Sequence, residues 1–241
     1  MKDLSGKTCW LIGASEGLGR ALARQLHDQG MVLILSARNG ARLTALCDEL
    51  SGARALVMDV TDPTAVARAA AEAGHADLVI YNAGAYDPMA TGAWDTGAIL
   101  RMSEVNYTGA VHVIGAILPQ FLGRNAGEIV LIGSLAAYRG LPGALGYGPA
   151  KAALRSMAET MRHDLRGSGV AVKLVNPGFI RTRLTARNSF RMPMLMTPEQ
   201  AAGHVLRAIR KRRFRTDFPV PFSWAIRALA TLPDVVVWRG R

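Results

Sequence analysis

The stretch Gly13-Ala14-Ser15-Glu16-Gly17-Leu18-Gly19 constrains the fold of this chain more than any other, because of what flanks it. Before it, Thr8 to Gly13 is a compact apolar run, and after it Arg20 to Gln29 carries Ala21, Leu22 and Leu26 at helical spacing. The order is strand, glycine turn, helix. Glycines let such a turn adopt positive φ and approach a pyrophosphate closely, while the helix amino terminus offers N–H groups and a dipole that favour an anion. A tight strand-to-helix turn also needs glycines for packing alone, so the stretch fixes a βα unit before it fixes a ligand.

The alternation then repeats. Met31 to Ala37 reads as a second buried strand, Arg42 to Leu50 as a short helix and Ala53 to Met58 as a third strand. Asp62-Pro63 is an N-cap followed by proline at the first helical position, opening a helix through Ala73. Asp77 to Tyr81, Gly127 to Ile132 and Val170 to Val175 read as the fourth, fifth and sixth strands. A long helix is expected from about Thr96 to Leu122 with Asn106 among apolar neighbours, either bending the helix or holding ordered water. Pro149 is tolerated only in a first turn, which starts the next helix just after Leu145. Buried strands alternating with amphipathic helices predict an α/β fold, a doubly wound parallel sheet with helices on both faces. Ligands of such sheets collect at the strand carboxyl ends, where Asp59, Asn82 and Ser134 fall.

One edge residue has partners suited to proton transfer. Tyr147 and Lys151 are four residues apart, hence one turn apart on one helix face, and Ser134 closes the fifth strand. A cation beside a phenol favours the phenolate and makes tyrosine a usable acid or base. Arg38 stands at the end of the second strand, where an acidic residue would favour a ribose 2'-hydroxyl and an arginine accommodates a 2'-phosphate. Glu16 in the glycine turn opposes that preference; Arg38 is weighted more heavily.

The length of 241 residues suits one domain over 1–217, followed by an apolar and basic tail over 218–241. The amino terminus lacks the apolar core of a secretory signal, so a cytoplasmic location is expected. Cys9 and Cys47 show no metal or redox spacing, and the five histidines never pair at ligand spacing with a carboxylate, so no metal site is expected. The charge of +11 invites anionic partners. No nucleic-acid module is visible, and a phosphate-bearing cofactor or an anionic lipid surface accounts for the charge more economically.

Gly13, Gly17 and Gly19, then Asn82-Ala83-Gly84, Asn106, Ser134, Tyr147 with Lys151, and Pro177-Gly178 followed by Thr182 form a highly specific set. By these residues the chain resembles the short-chain dehydrogenase/reductase family up to about Asp217. The resemblance implies a Rossmann-type sheet of about seven strands and hydride transfer between NAD(P), here NADP(H), and a carbonyl or alcohol. It implies catalytic roles for Asn106, Ser134, Tyr147 and Lys151, with Tyr147 as acid/base, Lys151 lowering its pKa and holding the nicotinamide ribose, Ser134 orienting the substrate oxygen and Asn106 supporting a water relay. Cofactor contacts are implied for Gly13, Ser15, Gly17, Leu18, Gly19, Arg38, Asp59, Val60, Asn82, Ala83, Gly84, Tyr147, Lys151, Pro177, Gly178, Ile180 and Thr182. Ile12 and Tyr81 stand where the family pattern has threonine and asparagine, and are expected to loosen the ties between glycine turn and fourth strand. A catalytically idle dinucleotide-binding sensor or scaffold is the alternative reading.

Between Thr182 and Thr197, Phe190, Met192, Pro193, Met194, Leu195 and Met196 alternate with arginines, in the segment that covers substrate in this family's layout. Flexible methionines fill irregular apolar space, so a lipophilic carbonyl or alcohol is the expected small-molecule partner. The resemblance also implies a homodimer or homotetramer. The tail, Phe218 to Trp224 and the apolar segment to Trp238, is too interrupted to span a bilayer. It is expected to lie on an inner membrane surface as a peripheral contact, or to pack over the substrate cleft or on a second subunit.

Overall fold

The computed structural model describes residues 3–237; Met1, Lys2 and the residues from Trp238 onward lie outside the described part. Among the described residues seven strands form one parallel sheet: β1 (Thr8–Ile12), β2 (Val32–Ala37), β3 (Arg54–Val57), β4 (Leu78–Tyr81), β5 (Gly127–Ile132), β6 (Val170–Pro177) and β7 (Arg215–Phe218). Their spatial order is β3-β2-β1-β4-β5-β6-β7. The chain therefore winds outward from β1 in one direction and, after β3, returns to β4 and winds the other way. The reversal between β1 and β4 leaves a crevice at the strand carboxyl ends, where a ligand can reach the sheet edge.

Side chains of one strand serve both faces. Cys9 and Leu11 of β1 join a core with helices α1 (Gly17–His27), α2 (Gly40–Glu49) and α7 (Pro198–Arg210). Trp10 and Ile12 of the same strand join the opposite core with α3 (Pro63–Ala73), α5 (Gly109–Gly123) and α6 (Tyr147–Asp164). This alternation follows from the two-residue period of a strand. Inside it, the Trp10 indole N–H donates to Ser36 Oγ at 2.8 Å, which satisfies both buried polar groups. At the other end of the sheet the buried Lys173 ammonium lies 2.8 Å from Glu128 and also donates to carbonyls at the end of α7, where the helix dipole favours a cation.

Local signals act as the sequence predicts at several helix starts. Asp62 accepts from Thr64 N and Ala65 N before Pro63, and Thr197 with Gln200 forms a complete capping box. Four expectations need correction. The helix expected over Thr96 to Leu122 is continuous but not uniform: a π turn, Glu104–Thr108, that contains Asn106 widens it between α4 (Thr96–Ser103) and α5. The helix expected from Arg42 already begins at Gly40, because Asn39 caps it by accepting from Arg42 N. The sixth strand continues two residues past Val175, because Asn176 and Pro177 pair with β7. The segment Arg215–Phe218, which straddles the expected start of the tail at 218, is that seventh strand.

The tail is tied down. Beyond β7, α8 (Phe222–Thr231) buries Ser223 and Ile226 and turns Trp224 outward. Arg227 lies 3.5 Å from Asp217, and Arg139 donates to Leu232 O and pairs with Asp234. Among the described residues no helix is long and apolar enough to cross a membrane.

Candidate active site

A cavity of about 1510 Å³ opens over the carboxyl ends of β1, β2, β4, β5 and β6. That exceeds the volume of an ordinary drug-sized pocket, roughly 300–1,000 Å³, and gives room for a dinucleotide together with a second molecule. Of the residues singled out in the sequence, Gly13, Ser15, Gly17, Leu18, Arg38, Val60, Asn82, Ala83, Gly84, Asn106, Ser134, Tyr147, Lys151, Pro177, Gly178, Ile180 and Thr182 all line it.

The glycine turn is built by close packing. Gly13 has φ +85°, and a Cβ there would stand 2.6 Å from Ala83 N. A Cβ on Gly19 would stand 1.9 Å from Gly13 O, so Gly19 is taken up by helix-to-turn packing. The turn is anchored to β4 by Asn82, whose Nδ2 donates to Gly13 O at 2.8 Å and whose N–H donates to Ile12 O at 2.9 Å. The loosening expected from Ile12 and Tyr81 is therefore not seen: Asn82 makes the ties itself. Tyr81 is instead buried, with its hydroxyl donating to Val105 O.

Glu16 occupies the N-cap of α1, yet its side chain makes no capping hydrogen bond. The first N–H groups of α1 are thus left to a ligand, next to Ser15, Gly17 and Leu18 in the cavity wall. The Glu16 carboxylate turns sideways, 2.7 Å from Arg42 and 2.7 Å from Arg183. Its charge is offset on both sides. Arg38 is exposed at the end of β2, 3.7 Å from Asp59. Asp59 accepts from the Thr61 N–H and hydroxyl, and the wall beside it is formed by Met58, Val60 and Thr61. Uncapped helix donors and a ring of guanidiniums fit a phosphate-bearing dinucleotide.

On the facing edge, Ser134 follows β5 and accepts from Ala136 N, which fixes its side chain at the head of a short 3-10 turn, Leu135–Ala137. It lines the same cavity wall as Tyr147, the first residue of α6. Burial pushes the Tyr147 phenol up to about 12, against the opposing pull of the Ser134 hydroxyl. The sequence reading had the ammonium of Lys151 lower it. The physical reason for the difference is placement: Lys151 Nζ is 5.8 Å from the Tyr147 ring centroid and donates to Ile132 O at 2.9 Å. Burial lowers Lys151 itself to about 8.

Asn106 is fully buried in the π turn. Its Nδ2 donates to Ala85 O and Met102 O, both at 2.8 Å, and its Oδ1 accepts from Ala85 N at 3.3 Å. Both amide hydrogens are therefore taken by carbonyls, and the side chain straps the strand-end loop to the widened turn.

Several wall residues have no clear sequence signal. Tyr86 meets Tyr147 edge-on, ring centroids 5.1 Å apart, and donates to Asn188 Oδ1 at 2.8 Å. Arg42 and Arg183 reach Glu16 from two distant segments. From the tail, Phe222 and Ile226 line the cavity, and Phe222 stacks on Phe179, which meets Phe190 edge-on. The loop between is closed at its neck where Arg181 N donates to Met196 O and Met196 N to Phe179 O.

Strand order and site together define a dinucleotide-binding oxidoreductase. The chain belongs to the short-chain dehydrogenase/reductase family: the family model described as short chain dehydrogenase matches residues 7–192. An uncharacterized oxidoreductase of Myxococcus xanthus is 36% identical, over 97% of this chain and 96% of its own. A family member from Burkholderia phymatum in complex with NAD has TM-score 0.86 at 25% identity, covering 94% of each chain. Another from Burkholderia cenocepacia in complex with NADP has TM-score 0.84 at 27% identity, covering 96% of this chain and 100% of its own.

Proposed function

We propose that this protein is an NADP(H)-dependent carbonyl reductase acting on a lipophilic carbonyl compound. The observation that carries the reading is the convergence of Ser134, Tyr147 and Lys151 on the same cavity as the uncapped start of α1. Bound there, the dinucleotide supplies the hydride. Ser134 orients the substrate oxygen and Tyr147 donates its proton to it; a phenol held near 12 is protonated throughout the neutral range and suits the direction of reduction. The Lys151 ammonium, placed so that it does not set the acidity of the phenol, suits contact with a ribose that keeps the cofactor beside Tyr147. Asn106 acts as a positioning residue. Preference for the phosphorylated cofactor is supported by Arg38 and Arg42 at the adenosine end, with Glu16 neutralised by Arg42 and Arg183.

Residues 1–217 are read as one catalytic unit and 218–241 as a tail that walls the cleft. Outward-facing Trp224, Val235 and Val236 suit a homo-oligomer contact; light scattering at two protein concentrations reads the mass. Peripheral contact with an anionic inner membrane surface is the competing use of that face, tested by co-sedimentation with anionic vesicles at low salt. A cytoplasmic location is part of the same reading.

The test is a titration with NADPH and NADH on wild type and Arg38→Ala, with turnover of medium-chain ketones by wild type and Tyr147→Phe. Selective weakening of NADPH binding in the first variant and lost turnover with retained binding in the second are expected. Equal binding of both cofactors overturns the NADP assignment. Turnover retained by Tyr147→Phe overturns the mechanism, and binding without turnover by wild type favours the idle sensor.

A further inference from the structure

The arginines of the loop over the cleft have different fates. Arg183 pairs with Glu16, and Arg187 pairs with Asp87 and donates to Tyr86 O. Asp87 is shared, since Arg101 lies 3.9 Å from it. Arg191 lines the cavity and, among the described residues, makes no ion pair or hydrogen bond. Asp87 is thus engaged twice, by Arg101 and Arg187, while among the described residues the exposed Arg191 on the same cavity wall has no carboxylate of its own.

An apolar wall adjoins Arg191 in the chain. Phe222 stacks on Phe179, which follows Gly178 at the end of β6, and Phe179 meets the edge of Phe190. Arg191 is the next residue. A ligand that reached from the Ser134 and Tyr147 hydroxyls along these rings to Arg191 would set an apolar body against phenylalanine and its far end beside an unpartnered guanidinium. A neutral end gives that group nothing, whereas a carboxylate gives it a charge-assisted, forked pair.

We propose that the substrate is a carbonyl compound with an apolar chain and a terminal anion, a carboxylate being the simplest, and that Arg191 is the counter-charge that selects it. The proposal rests on the carbonyl-reductase reading above and narrows its substrate class. Discrimination between charged and neutral ends is expected to be about 10- to 100-fold, the range of one hydrogen-bonded charge pair.

The experiment uses the full chain with NADPH and a matched pair: an oxooctanoic acid with its carbonyl next to the terminal methyl group, and the methyl ester of the same acid. The ratio of kcat/KM, acid over ester, is read for wild type, Arg191→Gln and Arg191→Lys. A wild-type ratio of about 10 to 100 that collapses toward unity in Arg191→Gln and is partly kept in Arg191→Lys supports the proposal. A ratio near unity in wild type, or one that survives Arg191→Gln, overturns it. If neither compound is reduced, calorimetric titration of the acid into NADPH-loaded protein separates the two readings. Binding that depends on Arg191 keeps the anion site and removes the reductase assignment; no binding removes the anion site as well.

Discussion

Replacing Asn106 by alanine is expected to destabilise the fold before it affects chemistry. The substitution removes three hydrogen bonds, two donated by Nδ2 at 2.8 Å and one accepted by Oδ1 at 3.3 Å. At a net value of about 1 kcal/mol each, the loss is about 3 kcal/mol, and the better helix propensity of alanine returns roughly 0.5 kcal/mol. The Ala85 N–H and C=O are left without their partner in a part-buried loop, which holds the estimate at about 2–3 kcal/mol rather than lower. With a urea slope of about 3 kcal/mol per molar, the midpoint is expected to fall by roughly 0.7–1 M. Equilibrium unfolding followed by circular dichroism reads it directly. A midpoint moved by less than about 0.2 M, together with a large fall in kcat, would refute the reasoning, since the amide would then serve the reaction and not the strap between loop and π turn.

Two further outcomes follow from the same geometry. Lys151 is lowered to about 8, so its cation is lost as pH rises through that value, and NADPH-driven reduction is expected to slow there. Tyr147, pushed up to about 12, adds no inflection below that range, and a rate that stays flat well above pH 8 would show that the Lys151 charge is not needed for turnover. Gly19→Ala places a methyl group 1.9 Å from Gly13 O, which Asn82 also holds. Overpacking of about 1–3 kcal/mol, at roughly 2–4 °C per kcal/mol for a chain of this size, lowers Tm by about 2–12 °C. An unchanged Tm would show that the turn relaxes freely.

Most of the sheet was legible because its strands are continuous apolar runs, as burial on both faces requires. β7 was not, because Arg215, Thr216 and Asp217 carry no apolar pattern and of its residues Phe218 alone is deeply buried. The π turn was invisible for a related reason: Asn106 sits within an uninterrupted helical pattern, and what widens the turn there is a strap to Ala85, in another segment. Within the site, short-range patterns carried Tyr147, Lys151 and the glycine turn. Contacts between remote segments did not show in the sequence: the Glu16 clasp joins positions 167 residues apart, and Tyr86 reaches Asn188 across 102. The acidity of Tyr147 was expected to follow from the nearby cation, but burial of the ring has the larger effect.

The glycine turn contains two kinds of position with different tolerance to change. Gly13 and Gly19 admit no side chain, whereas Glu16 projects away from the packed turn and is held by ion pairs to Arg42 and Arg183. Exposed pairs of this kind contribute little to stability, about 0–1 kcal/mol each. If positions 16, 38 and 42 set nucleotide choice as proposed, that choice can drift, or be redesigned, while the scaffold beneath stays unchanged, and a library confined to those three side chains would search cofactor preference at small risk to folding.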